Sequence, residues 1–320
     1  MRRRGVLLGV AGAWVGAGCT TDQSLVVIGQ GKVPAASVDQ APLALLPEGA
    51  ISVGRLDAAR LFGTGLGQQM GQIVARVLPI GRESGFRPEQ DVTAVVGGVY
   101  AMQGADFVSV IQGRFDLAGI EAAARAGALT PSRQPLVATE YAGYSMYTVS
   151  NVGFVVVTPS TVLSGNETGM RRALDRLRYT KLEPSMPEWI QTFLAENEKA
   201  AFAIAGDLKN QGAVQAASGR FPFVVGLELV RILGNFEPPG VNVVGSLTYP
   251  DEPQASAGAQ GLEQMNQMAS AASIFTAMGF GTSLPQLEIK PQGTNVAFAT
   301  QVDLAVAGTL LGLVAGALGS

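Results

Sequence analysis

The chain has no histidine and a single cysteine, Cys19, and these two counts restrict its chemistry more than any motif does. Histidine is the usual general base near neutral pH and the commonest metal ligand. Its absence excludes Ser-His-Asp and Cys-His hydrolases, zinc proteases and histidine-ligated haem. One thiol cannot close an internal disulfide or build a zinc ribbon. Carboxylate pairs, a Ser-Lys dyad, tyrosine and backbone donors remain, yet no Ser-x-x-Lys, G-x-S-x-G or Walker loop occurs. Gly63, Gly65, Gly67 and Gly71 come near a dinucleotide loop, but the third glycine of G-x-G-x-x-G falls on Gln68 or Met70. The expectation is therefore a protein that is not an enzyme, with no catalytic residues, metal or cofactor.

Two other groups of residues could carry a contact function. Arg171, Arg172 and Arg176, with Arg178 and Lys181, form a basic cluster beside apolar Met170, Ala173, Leu174 and Leu177. It suits either an anionic partner such as lipid headgroups or the wet face of an amphipathic helix with Glu167–Arg171 and Arg171–Asp175 pairs. Gly308, Gly312 and Gly316 recur every fourth residue in an uncharged C-terminal segment. Such spacing lets another backbone approach closely, in a membrane or against a partner, and equally suits a helix folded back onto its own sheet. Trp189, Phe193 and Leu194 mark one helical face, with Ser185 and Glu188 spaced as a capping box ahead of it. Met265, Met268 and Met278 fit a buried helix stripe better than an adaptable groove.

Cys19 closes a leader of characteristic design. Met1-Arg2-Arg3-Arg4 is basic, Gly5 to Gly18 is uncharged, and the small residues Gly16-Ala17-Gly18 precede the thiol. This is the pattern of a secretory signal, and its 14 uncharged residues fall short of the roughly 20 that a spanning helix needs. The segment resembles a bacterial lipoprotein precursor, with Gly16 where that family usually has leucine. The resemblance implies cleavage after residue 18, acylation of Cys19 by palmitate-like chains, and a protein held to the cell envelope by its N-terminal lipid. Thr20 in second position implies the outer membrane, facing the periplasm. Loss of the leader leaves 19 basic against 25 acidic residues, a formal charge of −6, a poor match for nucleic acid.

Beyond the leader, residues 19–42 read as lipidated cysteine and flexible tether. Two α+β units are expected over 43–182 and 183–320. Strand-like segments at 50–54, 92–100, 107–113, 144–149, 154–158 and 161–164 alternate with helices from Ala58 to about Leu78, at 117–126 and at 167–178. The second half repeats the theme with a strand at 201–205, helical segments to about 233, hairpins over 241–258 and 287–302, and helices over 262–278 and 304–318. Repeated β-α-β-β-α order predicts ferredoxin-like, split-βαβ units with antiparallel sheets and helices on one face. Asp57, Asp116, Asp207 and Asp303 each sit where a strand gives way to a helix, which suits N-caps. The run Val162-Leu163-Ser164-Gly165-Asn166-Glu167 followed by Arg172-Ala173-Leu174 resembles bacterial envelope proteins built of strand-helix units. These resemblances imply a lipid-anchored envelope protein with a structural, binding or assembly role, and an envelope protein partner is among the expectations. The alternative is a periplasmic small-ligand binder with its cleft between the two repeats, which a deep apolar cavity there would favour.

Overall fold

Phe154–Val157 and Val162-Leu163 are unbroken apolar runs, not alternating ones, and such strands are buried on both faces. They sit inside one large antiparallel sheet. A computed structural model describes residues 25–28, 31–67, 70–71, 85–101, 106–127, 130, 134–209, 211–212, 218–219, 221–238, 240–270 and 286–308. Its strands are β1 (Leu25–Ile28), β2 (Gly31–Pro34), β3 (Ser52–Asp57), β4 (Val92–Ala101), β5 (Asp106–Gly113), β6 (Val137–Tyr141) and β7 (Tyr144–Val149). They continue with β8 (Val152–Thr158), β9 (Thr161–Asn166), β10 (Phe202–Asp207), β11 (Leu229–Glu237), β12 (Gly240–Thr248), β13 (Glu288–Gln292) and β14 (Asn295–Asp303). The helices are α1 (Ala35–Gln40), α2 (Ala58–Phe62), α3 (Pro88–Asp91), α4 (Leu117–Arg125), α5 (Glu167–Arg178), α6 (Glu188–Glu196) and α7 (Glu252–Ser270).

Twelve strands form one sheet in the order β13-β14-β12-β11-β10-β3-β4-β5-β9-β8-β7-β6, and β1 and β2 pair separately. The fold is α+β. The two halves of the chain meet where β3 pairs antiparallel with β10, Gly54 opposite Ile204. On one side lie the meander β3-β4-β5 and the returning strands β9-β8-β7-β6; on the other lie β10-β11-β12 and β14-β13. The interleaved strand order expected of ferredoxin-like units gives way to this arrangement, in which eight of the eleven neighbouring pairs are consecutive in the chain and five of those are tight hairpins. Between β6 and β7, Ala142 and Gly143 both take positive φ, as a two-residue type I′ turn requires.

The expectation of helices on one face is corrected. Alternate residues along each strand face opposite ways, and both faces carry helices. Val110, Val155 and Leu163 pack on one face under α1, α5 and α6, with Val38, Leu174 and Ile190. Ile111, Val156 and Val162 pack on the other under α2 and α4, with Ala58, Phe115 and Ile120. Further along that second face, Leu247 and Val296 meet Ala255, Ala259 and Leu262 of α7.

Several boundaries also move. Residues 33–42 are docked and do not behave as tether: Val38 is fully buried, and Asp39 accepts hydrogen bonds from Thr158 Oγ1 (2.5 Å) and Thr161 Oγ1 (2.6 Å). The helix starting at Ala58 is interrupted after Phe62, where Thr64 Oγ1 donates to Leu61 O and accepts from Leu66 N, a local loop that competes with helix; Gly67, Met70 and Gly71 are helical again, and residues 72–78 lie outside the described ones. The helix expected up to residue 233 is instead strand β11 after a turn at Gly226, whose φ is +73°. The strand expected at 254–258 lies inside α7, started by Asp251 Oδ1 accepting from Gln254 N. Cys19, Gly312, Gly316 and Met278 lie outside the described residues.

Candidate functional site

A cavity of about 490 Å³ lies on the second face of the sheet, across the β3–β10 seam. Its floor begins at a gap in side-chain cover. Gly54 of β3 and Gly97 of β4 are cross-strand partners, so neither strand projects a side chain at that point. Leu56, Val95, Phe202 and Ile204 surround the gap, and Phe236, Val241 and Val302 carry the floor onward. Leu61, Leu66 and Met70 wall it from the α2 side, and Ala307 closes it from a helical stretch over 304–308. Ile204 is 36% exposed within the fold because its side chain faces this space.

Two aromatic rings shape the floor. Phe202 lies over Gly234, where an added Cβ would fall 2.1 Å from its Cζ, so only glycine admits the ring there. Phe202 and Phe236 then stand as a tilted pair with centroids 5.9 Å apart. Arg55 touches the cavity only from the strand between Gly54 and Leu56. Its guanidinium is on the opposite face, donating to Asn197 O (2.7 Å) and Ala200 O (3.2 Å) beyond α6. Among the described residues, no ionisable side chain therefore projects into the space. Its chemistry is that of apolar burial, at about 0.8 kcal/mol per methylene taken from water.

Three arginines of the basic cluster make bonds within the chain, while Arg178 and Lys181 are exposed. Arg171 pairs with Glu167 at 2.5 Å and lies over the Tyr141 ring. Arg172 bridges Asp106 (3.1 Å), Glu48 O (2.5 Å) and the Tyr100 ring (4.7 Å). Arg176 donates to Ala44 O (2.5 Å) and to Glu183 O, and partial burial lowers its pKa. These residues pin the 44–48 segment to α5. They stand on the first face, away from the cavity.

The other sequence-marked residues divide similarly. Gly308 is buried, and Leu304 and Ala307 of the same stretch join the cluster that contains Leu61, Leu66 and Val241. Trp189 is half-buried against the first-face core with Arg231 stacked at 4.9 Å. The expected capping box does not form: Pro187 caps α6, and Ser185 Oγ donates to Leu46 O. Asp57 caps α2 through Arg60 N, and Asp207 and Asp303 accept from Lys209 N and Ala305 N. Asp116 makes no side-chain cap bond. Among the described residues no three His, Cys, Asp or Glu side chains converge as a metal site, and no helix is long and apolar enough to cross a membrane. Sequence reading named the seam but none of the lining residues. Interior glycine in a strand marks missing side-chain volume, but the sequence does not reveal that Gly54 and Gly97 lie opposite each other.

Neither a family model nor a curated protein matches the chain. Two solved structures of the protein TP0453 are similar in fold. Crystal form I has a TM-score of 0.53 at 14% identity, covering 86% of this chain and 96% of that one. Crystal form III has a TM-score of 0.53 at 13% identity, covering 86% and 98%.

Proposed function

We propose that the chain is a lipid-anchored envelope protein that holds one apolar small ligand in the cavity at the β3–β10 seam. The cavity carries the proposal. A space of about 490 Å³ is within the range of roughly 300–1,000 Å³ usual for ligand pockets. It costs stability unless something fills it, because lining atoms without partners forfeit dispersion contacts. Its position favours ligand binding over a purely structural or assembly role: it spans the join between the halves, and its lining among the described residues is apolar.

The anchor rests on the leader and Cys19. Two or more acyl chains on that residue would hold the protein stably at the membrane, with its fold in the periplasm. We further read the two halves as copies of one unit. Each has a three-strand meander, a helix, and a returning hairpin whose last strand, β9 or β14, joins the meander and leads into a helix capped by Asn166 or Asp303. Native mass spectrometry of the protein taken from membranes tests both parts. The expected spectrum shows a chain beginning at acylated Cys19 with one apolar adduct. An unmodified Cys19 removes the anchor, and an empty chain that takes up no apolar probe removes the ligand.

A further inference from the structure

We infer that the occupant of the cavity is one long fatty acyl chain, not a compact ring body. This rests on reading the cavity as a binding site and adds the shape of what it holds. The floor residues come from six strands consecutive in the sheet, β4-β3-β10-β11-β12-β14. Neighbouring strands are about 4.8 Å apart, so the five steps between the outer two span about 24 Å. Val95, Leu56 and Phe202 are cross-strand neighbours, and so are Phe236, Val241 and Val302. The second trio is displaced along β11 from Gly234, the partner of Phe202. The floor is thus a diagonal band across the strands.

Spread over that band, 490 Å³ makes a trough several times longer than it is wide. That is the shape of an extended hydrocarbon chain, whose carbons touch the lining at about 4 Å along its length. A fused-ring molecule of equal volume is shorter and wider than such a trough. The apolar lining also leaves nothing to orient ring substituents, while a linear chain needs only length. Any charged head stays outside.

The test titrates the full chain, stripped of bound lipid, with fatty acids from octanoate to palmitate, with palmitoyl-lysophosphatidylcholine and with cholesterol. Affinity is expected to rise about fourfold per methylene along the series, at one site per chain, with cholesterol at least a hundredfold weaker than palmitate. Lysolipid binding equal to palmitate assigns the chain to a lysolipid, and palmitate alone assigns it to a free fatty acid; either supports the inference. Cholesterol binding as tightly as palmitate overturns the linear shape and leaves the cavity as a ligand site. Failure of all three probes overturns the site as well. Gly54→Leu is expected to shift the longest chain accepted from palmitate toward laurate, whereas Val244→Ser, on the exposed opposite face, leaves the series unchanged. Equal losses at every chain length in Gly54→Leu would contradict a trough.

Discussion

Replacing Gly54 with leucine should raise stability while lowering affinity for an apolar ligand. A Cβ on Gly54 meets Ile204 Cγ1 at 3.7 Å and Ala203 O at 3.8 Å, ordinary contact distances, and its φ is not in the left-handed region. The four added carbons enter the cavity and displace about four methylenes of ligand. At about 0.8 kcal/mol each the loss is about 3 kcal/mol, or about two orders of magnitude in Kd. The empty fold gains instead. Glycine inside a strand costs roughly 0.5–1 kcal/mol relative to alanine, and new dispersion contacts replace void. Paired calorimetric titration with palmitate and thermal melting of the ligand-free protein would read both signs. A leucine variant that melts higher yet binds palmitate as tightly as the parent would refute the assignment of the ligand to this cavity. One that melts lower would refute the space itself.

Asp39→Ala tests whether residues 33–42 are part of the fold. Losing acceptance from Thr158 and from fully buried Thr161 should cost about 3 kcal/mol in denaturant unfolding; a change near zero would restore the tether. Arg176→Ala should cost about 2 kcal/mol by removing its bonds to Ala44 O and Glu183 O. Arg114→Ala, at a side chain 79% exposed, should stay within about 0.5 kcal/mol. If Arg176→Ala melts like the parent but loses vesicle co-sedimentation, the cluster is a lipid contact after all. Alkaline titration should destabilise the fold. Burial raises the Tyr100 and Tyr144 phenols above 10.0 and pushes Tyr249 up to about 12. Between those limits the unfolded phenols have lost their protons and the folded ones have not, so stability is complete below pH 10 and falls as pH rises toward 12. Denaturant midpoints that stay flat across this window would contradict the burial.

Local signals in the sequence were legible where chemistry is local. The helix at 117–125 and the α5 helix follow from their apolar spacing, and α5 begins at Glu167 because Asn166 Oδ1 accepts from Gly169 N. Hairpin β7–β8 was readable from two strand-like runs either side of the turn residues Asn151 and Gly153. Strand β6 was missed because its turn is Ala142-Gly143, and alanine is a poor marker of positive φ. Residues 254–258 read as a strand because Pro250-Asp251 has the make-up of a hairpin turn, but Asp251 starts α7, where Ala255, Gly258 and Ala259 are small. Their small size lets α7 settle on Tyr249, whose hydroxyl donates to Phe223 O. The two-faced sheet and the cavity were not legible. Both depend on which strands meet across long separations, and nothing local in Gly54 or Gly97 reveals that each is the other's partner.

The most direct measurement is photolabelling of the full-length protein with a palmitate analogue carrying a diazirine near its methyl end, followed by peptide mapping. Label on Leu66, Met70, Phe202 or Ile204, suppressed by excess palmitate, is the result expected of an acyl chain lying across the β3–β10 seam. Label confined to the opposite face around Val244, or spread without competition by palmitate, would contradict it.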